Sequence, residues 1–369
     1  MRSYRYKLIY ILFLLFTSII CFGQTQTRTF SSIPDSTTKK IAERLEQIAT
    51  LKKAKISCRI ESSSGSVFDY GYDGRTQKTF TPGNQLIEIG SATKMFTATA
   101  VLQLVEKGKF QLTDKLVNVW PEIRSYASLC NRNATLDSIE IHHLLSHTSG
   151  FPDYFPSPDS VAMIMYGDSA ISFTPGSLLR LAIRLKHTQK EVAIGQFRYS
   201  NVNYIILGLL VEKFSGLKYH QYIQNNILNK AGMTSTFFLS SPKLGGRPPG
   251  HFHGELVYMP ASMAWSAGEI VSTGPDMCRF ISRWNSGAFF SKPSTMANLK
   301  SIYYTDMVPG ISYGLGIIKL VNKSFGHAGQ TFGFENYTGI STNGNRFVIS
   351  IDDASVEVWS LAVYFSELL

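Results

Sequence analysis

Apolar residues recur along this chain in distinct rhythms, and each rhythm predicts an element. Ile41, Leu45, Ile48 and Leu51 fall at helical spacing and predict a helix over Asp35–Lys53, capped by Asp35 or Ser36. Two strand-like runs follow, Ala54–Glu61 and Ser66–Tyr72, joined by the turn-forming Ser62-Ser63-Ser64-Gly65. Leu86–Ile89 reads as a short third strand. A helix then starts near Ser91 and stops near Gly108; between Met95 and Val105 it is apolar nearly all round, which predicts a central buried helix. From Leu112 to about Pro242 the pattern is helical with long loops. Thr148–Pro175, rich in Pro, Ser, Gly and Asp, reads as ordered loop, and Tyr204–Phe214 as a second apolar helix ended by Gly216. Strand signals return at Ile311–Val321, Phe334–Ser341 and Phe347–Asp352. Val356–Leu369 closes the chain as a helix with Val358, Leu361, Ala362 and Phe365 on one face. Sheet-forming ends around a helical middle predict an α+β fold, an antiparallel sheet flanked by helices with an inserted all-helical domain. The sheet lobe covers about 24–92 and 254–369, the helical lobe about 93–253, and the active site lies between them.

Composition narrows the function classes. Of the 369 residues, 17% are charged and 44% hydrophobic, enough apolar surface to bury a large core, which excludes disorder. The formal charge of +10 invites a nucleic-acid partner. Three of its basic residues, Arg2, Arg5 and Lys7, precede the apolar run Leu8–Phe22, which is shorter than the ~20 residues of a membrane span. Residues 1–23 therefore read as a secretory signal, and the protein as exported, periplasmic or extracellular. A lipid anchor on Cys21 or an uncleaved anchor is the alternative. Cleavage leaves 33 basic against 26 acidic residues, a charge of +7, and no basic run is interleaved with aromatics. Cys58, Cys130 and Cys278 remain, an odd set that makes no disulfide framework; one optional bridge stays open.

Candidate chemistry starts from Ser91-Ala92-Thr93-Lys94. The same Ser-x-x-Lys spacing occurs at Ser36–Lys39, Ser215–Lys218 and Ser240–Lys243, but only Ser91 follows a strand and a glycine at the mouth of a buried helix. Residues three apart share a helix face, so the Lys94 amine can reach the Ser91 hydroxyl. The helix N-terminus offers unpaired N–H groups to an oxyanion. Burial disfavours the ammonium and frees Lys94 for proton transfer. The bland alternative is a helix cap beside a snorkelling lysine. Tyr199-Ser200-Asn201 is the only Tyr-x-Asn in the chain, and His327-Ala328-Gly329 the only His-x-Gly.

In that order the three motifs resemble the serine hydrolases related to class C β-lactamases and D-alanyl-D-alanine carboxypeptidases. The likeness runs from about Gly83 to the end. It includes Ile89–Ala98, His143–Gly150, Tyr199–Tyr204, Ser266-Ala267-Gly268, Ser272-Thr273, Tyr313–Gly316 and Gly326–Gly329. It implies Ser91 as the nucleophile of an acyl-enzyme, with Lys94 and Tyr199 sharing proton transfer. A tyrosine phenol needs cationic neighbours to serve as a base, and Lys94 and His327 are expected to supply that field. Asn201 would hold Lys94 and the substrate amide. The backbone N–H groups of Ser91 and Gln330 would form the oxyanion hole, with Ala328 and Gly329 against the substrate. No metal or organic cofactor is implied; the partner is a small-molecule or peptide substrate, a cell-wall peptide or β-lactam among them. Non-hydroxylic Ala328 and Gln330 stand where relatives carry hydroxyl residues that bind a substrate carboxylate. Their absence leaves room for an esterase or amidase. A penicillin-binding or sensor protein that acylates without turnover is the other reading.

Other residues offer weaker chemistry. His251, His253 and Glu255 alternate as on one strand face, mimicking a metal set, although a loop at the cleft rim is the alternative; His143 and His147 mimic a metal pair but match a structural segment of the family. Trp265 and Tyr313 line the cleft or pack in the core. Asn133, Asn322 and Asn336 head glycosylation triplets. Glu269, after Ser266-Ala267-Gly268, has no account from the sequence.

Overall fold

A computed structural model describes residues 33–130, 135–155, 172–240, 247–258, 260–320 and 322–369. The signal-like residues 1–23, most of the Pro/Ser-rich loop, Asn133 and Lys243 lie outside the described residues. Fourteen strands are described: β1 (Lys55–Glu61), β2 (Val67–Asp73), β3 (Lys78–Phe80), β4 (Leu86–Glu88), β5 (Phe237–Phe238), β6 (Gly250–Phe252), β7 (Glu255–Val257), β8 (Ile270–Thr273), β9 (Thr305–Val308), β10 (Ile311–Tyr313), β11 (Ile318–Lys319), β12 (Phe325–Gln330), β13 (Glu335–Ile340) and β14 (Arg346–Ile351). Nine form one antiparallel sheet in the order β3-β2-β1-β14-β13-β12-β11-β10-β9. The two ends of the chain meet where β1 pairs with β14, Cys58 opposite Ile349. Strands β4, β8 and β5 make a second, three-stranded sheet. This is the antiparallel sheet flanked by helices that the hydrophobic pattern predicts.

One apolar layer lies between the large sheet and the terminal helices. Ile41, Leu45 and Ala49 of helix Asp35–Lys52 and Leu361, Ala362 and Phe365 of helix Trp359–Leu368 pack there against Ile56, Phe347 and Ile349. A larger core surrounds the central helices Thr93–Glu106 and Asn201–Ser215. Every residue from Thr93 to Leu104 is buried, the result of its all-round apolarity. Among the described residues, no helix is long and apolar enough to cross a membrane.

Several boundaries differ from expectation. Pro34, not Asp35 or Ser36, occupies the N-cap: its φ of −61° with an extended ψ leaves its carbonyl free to accept the Thr37 and Thr38 N–H groups. The expected strand Ile311–Val321 divides into β10 and β11. A turn closed by the Gly314 N–H on the Ile317 carbonyl, 2.8 Å, separates them. Cys58, Cys130 and Cys278 are free, so the optional bridge does not form among the described residues; burial pushes all three thiols up. The His251–Glu255 segment is the hairpin β6–β7. No grouping fit to hold a metal occurs among the described residues, and His251 faces the Asp352 carboxylate at 3.6 Å instead. Tyr313 is fully buried and packs in the core.

Candidate active site

Ser91 sits in a 3-10 turn, Gly90–Ala92, that links β4 to the buried helix Thr93–Glu106. One helical turn on, Lys94 is fully buried and points back: its Nζ donates to Ser91 Oγ at 3.0 Å, to Asn201 Oδ1 at 2.8 Å and to the Ala267 carbonyl at 2.8 Å. The tyrosine–asparagine motif enters from the start of the second buried helix. Its Tyr199 hydroxyl hydrogen-bonds Ser91, and its ring lies 4.9 Å from Lys94 Nζ. Of the four Ser-x-x-Lys tetrads, this one converges with the tyrosine–asparagine motif. Ser36, Lys39 and Lys218 are not among its partners.

The segment that supplies the Ala267 carbonyl is fixed from both helices. Ser266 Oγ donates to the Tyr204 carbonyl at 2.9 Å, and Thr97 Oγ1 donates to the Ser266 carbonyl at 2.7 Å. Glu269, unexplained by the sequence, is fully buried two residues beyond Ala267. It is paired with His220 and accepts from Ser240 Oγ at 2.7 Å. A buried carboxylate with two such partners anchors this segment rather than entering the cleft.

The expected oxyanion donors come together because two glycines allow their backbones to touch. Strand β12 ends on the turn before Ser91. A Cβ at Gly329 would collide with the Ile89 carbonyl, and one at Gly90, where φ is +49°, would stand 2.5 Å from the Gln330 oxygen and 2.8 Å from its nitrogen. Asn336 of β13 ties the two sides. Its Nδ2 donates to the Glu88 carbonyl and to the Gly329 carbonyl, each at 3.1 Å. Fully buried and so engaged, Asn336 is not available to a glycosylating enzyme. Gln330 is exposed, Ala328 is partly exposed and Gly329 is buried.

The electrostatics depart from expectation at His327. This residue is buried, donates from Nδ1 to the Ala328 carbonyl at 2.6 Å and accepts at Nε2 from the Tyr313 hydroxyl at 2.9 Å. Desolvation, reinforced by the Lys94 charge, lowers its pKa to about 3. It is therefore neutral near pH 7 and does not supply the cationic field expected of it. Desolvation also brings Lys94 down to about 7, against a smaller opposing pull from Asp153. It moves the Tyr199 phenol upward, well beyond its ordinary range. Near neutrality the amine, rather than the phenol, has the balance to accept a proton.

Two residues on the sequence likeness behave differently from a metal pair. His143 Nδ1 accepts from the Glu140 backbone N–H at 3.0 Å at a helix start. His147 is buried behind Tyr199, its ring 4.1 Å from that of the tyrosine, and its Nδ1 accepts from the Ser200 N–H at 3.2 Å. Asp153, six residues beyond His147, carries no motif that marks it in the sequence. It too is buried, beside Asn201, with its carboxyl raised to about 6 by desolvation.

Comparison with known proteins gives the family and the fold. The Beta-lactamase family model matches residues 63–350. PbpX of Bacillus subtilis (strain 168), named as a penicillin-binding protein, is 28% identical over 322 residues, 84% of this chain and 72% of that protein. Two solved structures share the fold. A D-stereospecific amidohydrolase from Streptomyces sp. has a TM-score of 0.72 at 20% identity, covering 89% of this chain and 98% of that one. The D-amino acid amidase of Ochrobactrum anthropi SV3, in complex with D-phenylalanine, has a TM-score of 0.74 at 18% identity, covering 90% and 98%.

Proposed function

The chain belongs to the beta-lactamase family, and from that premise we propose that it hydrolyses an amide or ester through a Ser91 acyl-enzyme. The observation that carries the proposal is the Lys94 amine, buried and held 3.0 Å from the Ser91 hydroxyl by Asn201 and the Ala267 carbonyl. Neutral Lys94 takes the hydroxyl proton as Ser91 Oγ bonds to the acyl carbon. The carbonyl π pair moves to oxygen, where the Ser91 and Gln330 N–H groups receive it. When the intermediate collapses, the bond to the leaving amine or alkoxide breaks. Tyr199, hydrogen-bonded to Ser91, passes it a proton that Lys94 replaces. Water then attacks the ester carbonyl and gives its proton to the same pair, which returns it to Ser91 Oγ as the ester C–O bond breaks, releasing the acid and restoring the hydroxyl and the neutral amine.

The position after His327 favours an acyl group without a carboxylate beside the scissile bond, because Ala328 and Gln330 carry no hydroxyl. Amides of D-amino acids, the substrates in the name of the Ochrobactrum anthropi amidase of the same fold, fit that description. The likeness to PbpX favours a second reading, a penicillin-binding protein that acylates and turns over slowly. The basic, apolar run near residues 2–22 supports a further part of the proposal, that the protein acts in the cell envelope or outside it.

The test is a panel of nitrocefin, a D-Ala-D-Ala peptide, D-phenylalanine amide and a p-nitrophenyl ester, run with the parent and with Ser91→Ala. Turnover of the amide or ester, abolished in the variant, is the expected result. A stable penicilloyl adduct without turnover supports the second reading. Unchanged hydrolysis by Ser91→Ala overturns the mechanism.

A further inference from the structure

Behind Asn201, on the side away from Lys94, stands a carboxylate that none of the motifs includes. Asp153 is 9% exposed. Its Oδ2 accepts from Asn201 Nδ2 at 3.0 Å. Its Oδ1 accepts from the Tyr154 N–H at 2.8 Å and the Asn201 N–H at 3.2 Å. The Asp153 backbone is pinned in turn by Gln189, whose Oε1 accepts its N–H at 2.9 Å and whose Nε2 donates to its carbonyl at 2.8 Å. An amide has one donating and one accepting end, an ionised carboxylate only accepts, and an ammonium only donates. With Asp153 at one end and Lys94 at the other, the Asn201 amide has a single satisfied orientation. Turned by half a rotation, it would set its NH2 group against the amine and its oxygen against the carboxylate.

We propose that Asp153 is a positioning residue of this site: it locks the Asn201 amide with its oxygen toward Lys94, and it places one negative charge behind the amine that accepts the Ser91 proton. The proposal rests on the Ser91–Lys94 reading above. The groups facing Lys94 make this charge the decisive one. Ser91, Asn201 and the Ala267 carbonyl are its hydrogen-bond partners, and the Tyr199 and Tyr204 rings lie 4.9 and 5.5 Å from Nζ. His147 and His327, both buried, are held neutral. Arg198, Tyr154 and Tyr199 are the other titratable groups that sense Asp153. Through the amide, Asp153 and Nζ are no more than about 8 Å apart. At that distance one charge in a protein environment shifts a titration by about one pH unit.

The experiment measures the second-order rate of labelling by a fluorophosphonate probe against pH, in the full chain, for the parent, Asp153→Asn, Asp153→Ala, Asn201→Ala and the double alanine variant. Melting curves accompany each. Losing the carboxylate charge removes support for the ammonium, so Asp153→Asn is expected to move the acid limb down by about one pH unit. Its plateau rate is expected to fall about tenfold as the amide loses its fixed orientation. On the Asn201→Ala background, Asp153→Ala is expected to lower the plateau less than twofold further, because the residue it positions is gone. An acid limb that stays at the parent pH in folded Asp153→Asn overturns the proposal, as does a plateau loss that multiplies in full in the double variant. If neither Asp153 variant folds, Asn201→Ala alone decides, and a plateau equal to the parent's overturns the proposal. Labelling that persists in Ser91→Ala signals instead that the underlying site reading has failed.

Discussion

The contact between Gly90 and the Gln330 peptide makes a sharp prediction, because a second glycine supplies its control. An alanine Cβ at position 90 would lie 2.5 Å from the Gln330 oxygen and 2.8 Å from its carbon and nitrogen. Ordinary contact needs roughly 3.3–3.6 Å, so the peptide must retreat by about 0.8 Å. The Gln330 nitrogen, 2.8 Å from that Cβ, must move as well, and its N–H is one of the two proposed oxyanion donors. Misplacement by about 1 Å costs on the order of 10²-fold, and outright loss of such a donor on the order of 10²–10³. Gly90→Ala also forces an L-residue to φ +49°, a strain of about 1–2 kcal/mol. Gly83 has nearly the same φ, +52°, and a Cβ there would meet nothing within 4 Å, so Gly83→Ala has the strain without the displacement. Measuring kcat/KM on a p-nitrophenyl ester, with urea denaturation of each variant, separates the two effects. Gly83→Ala is expected to lose about 1–2 kcal/mol of stability and Gly90→Ala at least as much, while only Gly90→Ala loses on the order of 10² in kcat/KM. A folded Gly90→Ala protein within about threefold of the parent would refute the idea that close backbone approach assembles the oxyanion hole.

Two further predictions follow from buried ionisable groups. The acid limb of kcat/KM is expected near pH 7, where Lys94 loses its proton, and His327→Gln is expected to lower the rate while leaving that limb in place; a limb that disappears with His327 would identify the imidazole as the titrating base. Burial, with the Glu357 charge adding to it, raises Glu335 from 4.5 to about 8, so the folded state binds the extra proton and stability falls as pH rises from about 4.5 to 8. Urea titrations at pH 5 and pH 9 should show Glu335→Gln gaining about 2–4 kcal/mol over the parent at the higher pH and little at the lower.

Fold class was legible because burial leaves a periodic trace. The all-round apolar run from Met95 to Val105 and the Val358, Leu361, Ala362 and Phe365 stripe each mapped onto an observed helix with the expected side buried. Turns inside strands were less legible, since the hydrophobic run through Ile311–Leu320 continues across the Gly314–Gly316 turn that divides it. The serine–lysine and tyrosine–asparagine motifs converge because each sits where a buried helix begins, which lets side chains from distant segments share one cleft.

What the sequence concealed are the partners of polar groups, and these decide the electrostatics. His327 reads as a potential cation until its two nitrogens are seen occupied by the Ala328 carbonyl and the Tyr313 hydroxyl. Asn336 reads as a surface sequon until its amide is found bridging Glu88, 248 residues away, to Gly329. Asp153 belongs to a loop whose composition predicts only turns, yet the fold buries it against Asn201, 48 residues on. No spacing along the chain reveals these partners, because Tyr313, Glu88 and Asn201 are each brought to His327, Asn336 and Asp153 by tertiary packing. The residue types that chemistry needs are visible along the chain. The protonation state in which each one works is fixed by how much water the fold removes and which donor or acceptor it leaves in place. In this site desolvation carries Lys94 and Tyr199 in opposite directions. The buried helix beneath Ser91 is thus the source both of the nucleophile's position and of the neutral amine beside it.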